Sequence, residues 1–286
     1  MEFWIQLVIN SLVLGLTYVL VASGLSLVLG INRILNFAHG EFYMLAGFSV
    51  YWISTVLGVN YFITLLITII ILGALGWVVQ RGLYQFVQAS LLRTVIVSIG
   101  LMLSIPALTQ LAFSEKTRVV GTVIPGSVHL FGIPVTLERL MIILISILIM
   151  LGLWYVVQRT KFGLMMRVVA EDREAAMLQG INVNNANALS MFIGCGLAAV
   201  AGGVFAPLAW VSPFLGASIL FKAFVVVILG GIGTISGAAA AGLLLGFAEV
   251  MGVTFLGGWI DVIPFVIVFL VLLFRPTGLL GRVKEF

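Results

Sequence analysis

Six long stretches of this chain carry no formally charged side chain, and they limit what it can fold into. They are residues 3–32, 42–80, 94–114, 140–158, 175–221 and 223–248. A helix that crosses a bilayer needs about 20 apolar residues, so the longest stretches fold back and cross twice. The chain shows no alternation of period two, which excludes barrel strands. The sequence predicts an all-α polytopic membrane protein.

The overall composition agrees with this class. Charged residues make up 8% of the chain and hydrophobic residues 62%, whereas soluble domains are about 25% charged. The net charge of +4 comes without a basic run interleaved with aromatics, so no nucleic-acid partner is expected. The single Cys195 excludes an intrachain disulfide, and the N-terminus lacks the basic region of a removable signal peptide.

Charges, glycines and prolines divide the chain into about nine hydrophobic segments, which predict eight to nine transmembrane helices in a single domain, residues 1–286. The segments are 5–29, 41–57, 61–80, 94–113, 139–157, 187–209, 215–231, 236–256 and 259–274. Segments 41–57 and 215–231 are short and flanked by glycine. These two are therefore candidates for re-entrant helices.

The distribution of lysine and arginine predicts the orientation. With the N-terminus outside, ten basic residues fall inside, namely Arg33, Arg81, Arg93, Arg159, Lys161, Arg167, Arg173, Arg275, Arg282 and Lys284. Three fall outside, namely Lys116, Arg118 and Arg139, while Lys222 sits in or beside a span. This bias places a loop of about 158–186 and the C-terminus in the cytoplasm, and a loop of about 114–138 outside.

The outside loop contains a predicted β-hairpin over residues 128–135. Its tip is Phe131-Gly132, and Pro134 restricts its strand to a sheet edge. The hairpin is interpreted either as a lid over helix ends or as a docking surface for an external partner.

The inside loop is the one strongly polar stretch. Between Gln158 and Asn187 the chain holds four of its 14 basic and three of its 10 acidic residues. Within it, Glu174-Ala175-Ala176-x-x-x-Gly180 predicts a small-residue helix that ends at a glycine. Such a loop on the charged side of a membrane protein indicates contact with a soluble partner, here a cytoplasmic motor. The alternative is a solvated amphipathic helix without a partner.

Residues 32–41 concentrate asparagine, histidine and glutamate directly after the first span, at the predicted membrane edge. Ionisable groups at membrane depth are costly and face the protein interior or a water-filled path. Asn36, His39 and Glu41 are therefore candidates to line or gate a pathway, or to form an interface. The simpler alternative is that Asn36 caps the second span.

A ladder of small residues runs from Gly230 to Gly246. The pairs Gly233/Gly237 and Gly242/Gly246 have the small-xxx-small spacing that lets helices approach closely in lipid. The stretch lacks the Lys-Ser/Thr ending of a phosphate loop, so no nucleotide site is predicted. Close helix packing is the first interpretation, and a hinge or broken helix at the glycine-rich turn is the second.

Two acids lie in the last third of the chain. Glu249 closes an uncharged run and is a candidate for a pathway residue inside the bilayer, although a hydrogen-bonded structural role is equally open. Asp261 is expected in water near the outer end of the last span. Otherwise the spans offer almost no fixed charge, so we expect a route lined mainly by apolar and small residues.

No catalytic or metal-binding pattern occurs in the sequence. His39 and His129 are its only histidines, so a zinc helix with two histidines four positions apart is excluded. A Gly-x-Ser-x-Gly nucleophile elbow is also missing. The sequence predicts a transport protein rather than an enzyme.

The motifs together resemble the permeases of the branched-chain amino acid ABC importer family, of the LivH type. The residues that carry the resemblance span nearly the whole chain in the family's order. They are Asn36-Phe37-Ala38-His39-Gly40-Glu41, Ala170-Glu171-Asp172, Glu174-Ala175-Ala176-x-x-x-Gly180-Ile181-Asn182, Ala198-Ala199-x-Ala201-Gly202, Gly230-Gly231-Ile232-Gly233-Thr234-x-x-Gly237-Ala238 and Arg275-Pro276-x-Gly278-Leu279.

The resemblance implies an ABC importer permease fold and several partners in the bacterial inner membrane. These are a second, LivM-like permease, two ATP-binding subunits and a periplasmic substrate-binding protein. ATP and magnesium would be bound by the partner subunits, and this chain would carry no cofactor. The polar loop then resembles the importer coupling loop, with the contacts to the ATPase assigned to Glu171, Asp172, Glu174, Ala175, Ala176 and Gly180.

The sequence leaves alternatives open for both the substrate and the transport mechanism. The same family includes permeases for urea, short amides and other amino acids, while an apolar route favours leucine, isoleucine or valine selected by the external binding protein. A secondary transporter or channel working alone would favour paired intramembrane carboxylates and internal repeats, which the sequence does not show. A structural membrane subunit is a third possibility.

Overall fold

The computed structural model describes residues 2–130, 132–257, 262–275 and 278–280. The expectations for Phe131, Asp261, Pro276, Arg282 and Lys284 lie outside the described residues. Within the described part the chain is mainly helical, with four short strands.

The first half contains five α-helices, two of which continue into π-helical turns at Tyr51–Val56 and Gln80–Tyr84. They are α1 (Glu2–Asn32), α2 (His39–Val50), α3 (Tyr61–Val79), α4 (Gln85–Val87) and α5 (Leu91–Phe113). The second half contains α6 (Leu137–Arg159), α7 (Lys161–Glu171), α8 (Arg173–Leu178), α9 (Val183–Phe205), α10 (Leu215–Gly230), α11 (Ile235–Leu256) and α12 (Ile263–Phe274). The strands are β1 (Arg118–Val119), β2 (Ser127–Leu130), β3 (Ile133–Thr136) and β4 (Trp210–Val211).

Six helices in the described part are long and apolar enough to cross a membrane. They are Glu2–Asn32, Tyr61–Val87, Leu91–Phe113, Leu137–Arg159, Val183–Phe205 and Ile235–Phe255. Each predicted hydrophobic segment coincides with a helix, but the predicted count of eight to nine transmembrane helices is not confirmed. The difference arises at short helices such as α2 and α10, which have 12 and 16 residues.

Helices α1 and α9 form the centre of the bundle. Most of their residues are buried, whereas α5 and α6 are largely exposed. The two central helices approach closely where Gly24 meets Gly194, since a Cβ atom at Gly24 would lie 2.6 Å from the Gly194 carbonyl oxygen. Around them, α1 also packs against α10 and α11, and α9 against α2 and α3.

The glycine ladder of α11 lies along α1. A Cβ atom at Gly242 would lie 2.7 Å from the Val19 side chain, and one at Gly246 would collide with Gly15. At the start of the ladder, Gly237 lies against Gly230 and Gly233 against Gly30. The contacts pair low numbers in α11 with high numbers in α1, so the two helices are antiparallel.

The chain after α1 turns back into the bundle. His39 Nε2 lies 3.1 Å from the Val21 carbonyl oxygen, a level about 16 Å from the end of α1 at about 1.5 Å per residue. Helix α2 thus begins deep inside, where a Cβ at Gly40 would collide with the Gly216 carbonyl of α10. The prediction that residues 32–41 lie at the membrane edge is wrong for His39 and Glu41, because the segment re-enters.

One end of the bundle, which we call the hairpin end, carries the four strands. β2 and β3 form the predicted antiparallel hairpin, with His129 opposite Pro134. β1 pairs with β4 in an antiparallel arrangement, Arg118 opposite Val211. The hairpin prediction is confirmed, and the β1–β4 pair ties residues 118–119 to the segment before α10.

The opposite end, which we call the loop end, holds the end of α1 together with α7 and α8. The C-terminal segment lies there too, because the Leu279 and Leu280 amides donate to the carbonyls of Leu229 and Gly230 at 2.7 and 3.2 Å. Gly230 ends α10 close to the Gly30–Gly233 contact. The polar loop and residues 278–280 therefore share one end of the bundle.

Candidate functional site

The polar loop folds into two short helices, each started by a side-chain cap. Thr160 Oγ1 accepts a hydrogen bond from the Gly163 amide at 3.1 Å at the start of α7. Asp172 Oδ1 accepts from the Glu174 and Ala175 amides at 2.8 and 3.1 Å at the start of α8. Such caps satisfy amides that have no partner inside the helix. Asp172 therefore fixes the angle between α7 and α8.

Helix α8 ends at Gly180, as the sequence predicts. Gly180 has φ +78°, a conformation that residues with a Cβ rarely adopt. Its amide donates to the Met177 carbonyl and the Ile181 amide to the Ala176 carbonyl, both at 3.0 Å. These two bonds define a Schellman motif, which reverses the chain toward α9.

The exposed face of α8 is formed by other residues than Ala175 and Ala176, which the sequence assigned to the contact. Ala176 is fully buried and Ala175 half-buried, whereas Met177 and Leu178 are 57% and 90% exposed. Glu171 and Glu174 are exposed on the same loop. Sequence reasoning missed Leu178 as a surface residue, although two adjacent large apolar side chains in a polar loop are an available indication.

Two arginines connect this loop to the end of α1. Arg173 Nη2 donates to the Ile31 carbonyl at 3.1 Å and to the Asn32 carbonyl at 2.5 Å. In the opposite direction, Arg33 Nη2 donates to the Ala170 carbonyl at 3.4 Å. Burial, and then the charge of Arg33, lower the pKa of the Arg173 guanidinium, which stays charged because arginine does not deprotonate in proteins.

Asn32 extends this connection into the bundle. Its Nδ2 donates to Gln80 Oε1 and to the Asn187 carbonyl, both at 3.1 Å, and its Oδ1 accepts from Ser190 Oγ at 2.5 Å. Asn32, Gln80, Asn187 and Ser190 are all at most 1% exposed. One buried side chain thus joins α1, α9 and the π-helical turn after α3. Sequence reasoning assigned Asn32 no separate role, because only the fold brings these polar groups together.

Asn36 belongs to the same buried layer. Its Oδ1 accepts from the Tyr84 hydroxyl at 2.9 Å and from the Ala38 amide at 3.1 Å, and its Nδ2 lies 3.7 Å from Met191 Sδ. The N-cap of α2 is Ala38, which makes no side-chain cap bond. The capping interpretation of Asn36 is therefore wrong, because its side chain shapes the turn before the helix.

His39 and Glu41 are buried where the first residues of α2 and α10 meet. They are 0% and 1% exposed, and the Glu41 carboxylate lies against Gly216. Within the described part of the chain, His39 Nδ1 and Glu41 Oε2 have no hydrogen-bond partner. Buried polar groups are nearly always paired, so these two atoms keep His39 and Glu41 as candidates for a functional contact.

Glu249 lies in a different cluster, where α1, α10 and α11 meet. It forms an ion pair with Lys222 of α10, and its other oxygen accepts from the Tyr18 hydroxyl at 2.7 Å. The Lys222 ammonium also donates to the Tyr18 hydroxyl at 3.1 Å. The expectation of almost no fixed charge in the spans does not hold here. The pair was missed because Lys222 and Glu249 are 27 positions apart and meet only through α10–α11 packing.

An apolar bundle whose described part holds six helices long enough to cross a membrane, with a structured polar loop at one end, defines an integral membrane protein. Comparison with known proteins makes this specific. Residues 7–273 match the family described as branched-chain amino acid transport system / permease component. The chain belongs to this family.

Named relatives match over nearly their whole length. The chain is 35% identical over 295 residues to the high-affinity branched-chain amino acid transport system permease protein BraD of Pseudomonas aeruginosa, covering 98% of this chain and 96% of BraD. It is 35% and 34% identical over 297 residues to the proteins named LivH of Salmonella typhimurium and Escherichia coli, with the same coverage. No solved structure matches.

Proposed function

We propose that this chain is the permease subunit of an ATP-driven importer that carries branched-chain amino acids across the bacterial inner membrane. It would form half of a channel with a homologous, LivM-like permease. Two ATP-binding subunits would supply ATP hydrolysis and hold the magnesium, and a periplasmic binding protein would deliver the substrate. The observation that carries this proposal is the full-length match to permeases named for branched-chain amino acid transport.

The loop end is proposed to face the cytoplasm. Arg33, Arg81, Arg159, Lys161 and Arg173 all lie at or beside the ends of helices there. Lysine and arginine concentrate on the cytoplasmic side of membrane proteins. This orientation puts α7, α8 and the C-terminal segment inside the cell, where an ATPase could contact them, and the hairpin end toward the binding protein.

Helix α8 is proposed as the surface that the ATPase binds. Met177 and Leu178 project from it, and the exposed Glu174 lies on the same short helix. An exposed pair of large apolar side chains rimmed by polar ones is typical of a protein contact site. The predicted coupling residues therefore divide by role: Asp172 and Gly180 shape α8, Ala176 anchors it, and its exposed side chains make the contact.

The two arginines are proposed to transmit the movement of this surface to the membrane helices. A displacement of α8 would act on the end of α1 through Arg173, and from there on α9 and the π-helical turn through Asn32. Rigid, contiguous hydrogen-bonded elements are the means by which two sites couple. In this way ATP-driven motion in the cytoplasm would change the packing around His39 and Glu41.

The meeting point of α2 and α10 is proposed as the gate. His39 Nδ1 and Glu41 Oε2 are among the buried atoms without a hydrogen-bond partner in the described part of the chain, and both helices begin inside the bundle instead of crossing it. Helices interrupted at membrane depth are a common feature of transport sites. A gate here would open when α1 and α9 shift relative to α10.

Copurification tests the proposal. A tagged chain expressed with its neighbours should retain an ATP-hydrolysing subunit and a second permease through gentle solubilisation. The tagged chain alone, reconstituted in vesicles, should transport no amino acid. Transport by the lone chain would instead favour a secondary transporter or channel.

A further inference from the structure

The ion pair described above leaves part of Lys222 uncommitted. In the described part of the chain, its ammonium donates to Glu249 and to the Tyr18 hydroxyl, and it lies 5.6 Å from the centroid of the Tyr18 ring. An ammonium has three N–H donors, so one remains. Its side chain is also the more exposed partner, 18% against 5% for Glu249.

Lys222 also borders a cavity of about 160 Å³. The lining residues are Ser218, Phe221, Lys222, Val225, Pro264 and Phe265. These described lining residues are apolar except for Ser218 and Lys222, which lie about one turn apart on α10. Glu249, which stays paired with Lys222, does not line the described wall, so Lys222 is the one charged residue of the described lining.

Placing a lysine in this position costs free energy, and packing alone does not explain why the lysine is there. Lys222 and Glu249 lie near the middle of helices in an apolar bundle, and ionisable groups at that depth are normally functional. A buried ion pair stabilises a fold little compared with apolar side chains of similar size. Glu249 Oε1 and the Tyr18 hydroxyl accept from the ammonium, and Glu249 Oε2 accepts from the Tyr18 hydroxyl, so the three groups hold one another in place.

We propose that this cavity is a carboxylate-binding site for a small aliphatic amino acid, with Lys222 and Ser218 as donors to the carboxylate and Phe221, Val225 and Phe265 around the hydrocarbon side chain. This assignment rests on the proposed function, which it deepens by giving the substrate class a site in the membrane. Charge complementarity favours the carboxylate, because Lys222 is the one charged residue among the described lining residues. The apolar lining selects a hydrocarbon side chain over a polar one.

Binding of radiolabelled L-leucine to the assembled importer in lipid nanodiscs, without the binding protein, tests the site. Unlabelled 4-methylpentanoate keeps the carboxylate and the side chain, whereas L-leucinamide lacks the carboxylate. We expect 4-methylpentanoate to displace leucine and leucinamide to displace it at least about tenfold less well, since a hydrogen bond between charged groups contributes that much. Equal competition by the two, or no saturable leucine binding in the millimolar range, would overturn the proposal.

Variants connect the binding to these residues. The double variant Lys222→Met with Glu249→Gln removes both charges, so no unpaired buried charge threatens assembly, and we expect leucine binding to fall at least about tenfold. Lys222→Arg, which keeps the cation, should retain more binding than the double variant. Phe221→Ala leaves the ion pair intact and should weaken leucine more than alanine. Unchanged leucine binding in the double variant would refute the site.

A separate measurement tests the proposed function. Leucine uptake by the complete wild-type importer, with ATP and binding protein, reports whether the chain serves in branched-chain amino acid import. If uptake occurs and nanodisc binding does not depend on Lys222, the cavity assignment fails and the import function stands. If the wild-type importer moves no leucine, the import function itself fails.

Discussion

Arg173 donates a hydrogen bond to the backbone carbonyl of Asn32, a residue 141 positions earlier in the chain. The contact joins the first residue of α8 to the last residue of α1. Because Asn32 is itself bonded to α9 and to Gln80, this one guanidinium connects the loop to the centre of the bundle. The geometry gives the loop a direct mechanical link to the helices that surround His39 and Glu41.

Removing this link should uncouple the loop from the bundle. For Arg173→Ala we expect uptake per assembled complex to fall at least about tenfold, because hydrogen bonds from a charged group contribute about 1.5–3 kcal/mol. ATP hydrolysis should persist without transport. Uptake and hydrolysis measured in the same proteoliposomes check this result.

Arg167→Ala is the matched control, since among the described residues Arg167 bonds to Gln158 alone, at the start of the same loop. It should change uptake little. If both arginine variants lower uptake equally, the loss reflects the charge of the loop and not the contact with Asn32.

Gly180 gives a test of the shape of α8. Replacing it with valine forces a β-branched residue into φ +78°, at a cost of about 1–2 kcal/mol, which should unravel the end of the helix and lower uptake per complex. Asparagine tolerates this conformation, so Gly180→Asn should retain most of the uptake. Space does not confound the comparison, since nothing lies within 4 Å of a Cβ atom placed there.

Leu178 tests the contact surface. We expect Leu178→Glu to reduce the amount of ATPase that copurifies with the permease, because it places a charge in an apolar contact. Leu57→Glu is the control, since Leu57 is 68% exposed at the end of the π-helical turn that follows α2. Normal copurification of the ATPase with Leu178→Glu would argue that α8 binds elsewhere or not at all.

His39 and Glu41 test the gate. Glu41→Gln and His39→Ala should reduce uptake more than they reduce the yield of assembled complex. Each residue has one buried atom without a partner in the described part of the chain, so the fold does not use its full polarity. Uptake normalised to complex yield is the measurement, and losses of uptake and yield in proportion would favour a structural role.

The sequence predicted the elements well because their causes are local. The uncharged stretches mark the hydrophobic helices, and the glycine after Ala176 marks the end of α8. The β2–β3 hairpin follows from its Phe-Gly tip and from Pro134 at the edge. Each of these features depends on residues within a few positions of one another.

The candidate site was less predictable because its contacts are distant in sequence. Arg173 and Asn32 are 141 positions apart and Tyr18 and Glu249 are 231 apart, so no spacing rule connects them. The predicted depth of His39 was also wrong, since the segment after α1 can run back into the bundle without any change in composition. Helix packing decides these positions, and packing is not encoded in any single motif.

Ligand-stimulated ATP hydrolysis by the reconstituted importer, measured with its binding protein, tests the proposed import of branched-chain amino acids most directly. We expect leucine, isoleucine or valine to raise the rate of ATP hydrolysis, and we expect the same amino acids to accumulate inside the vesicles. Urea and short amides, tested in parallel, should do neither. Stimulation by urea or a short amide, with no response to the branched-chain amino acids, would contradict the proposed function.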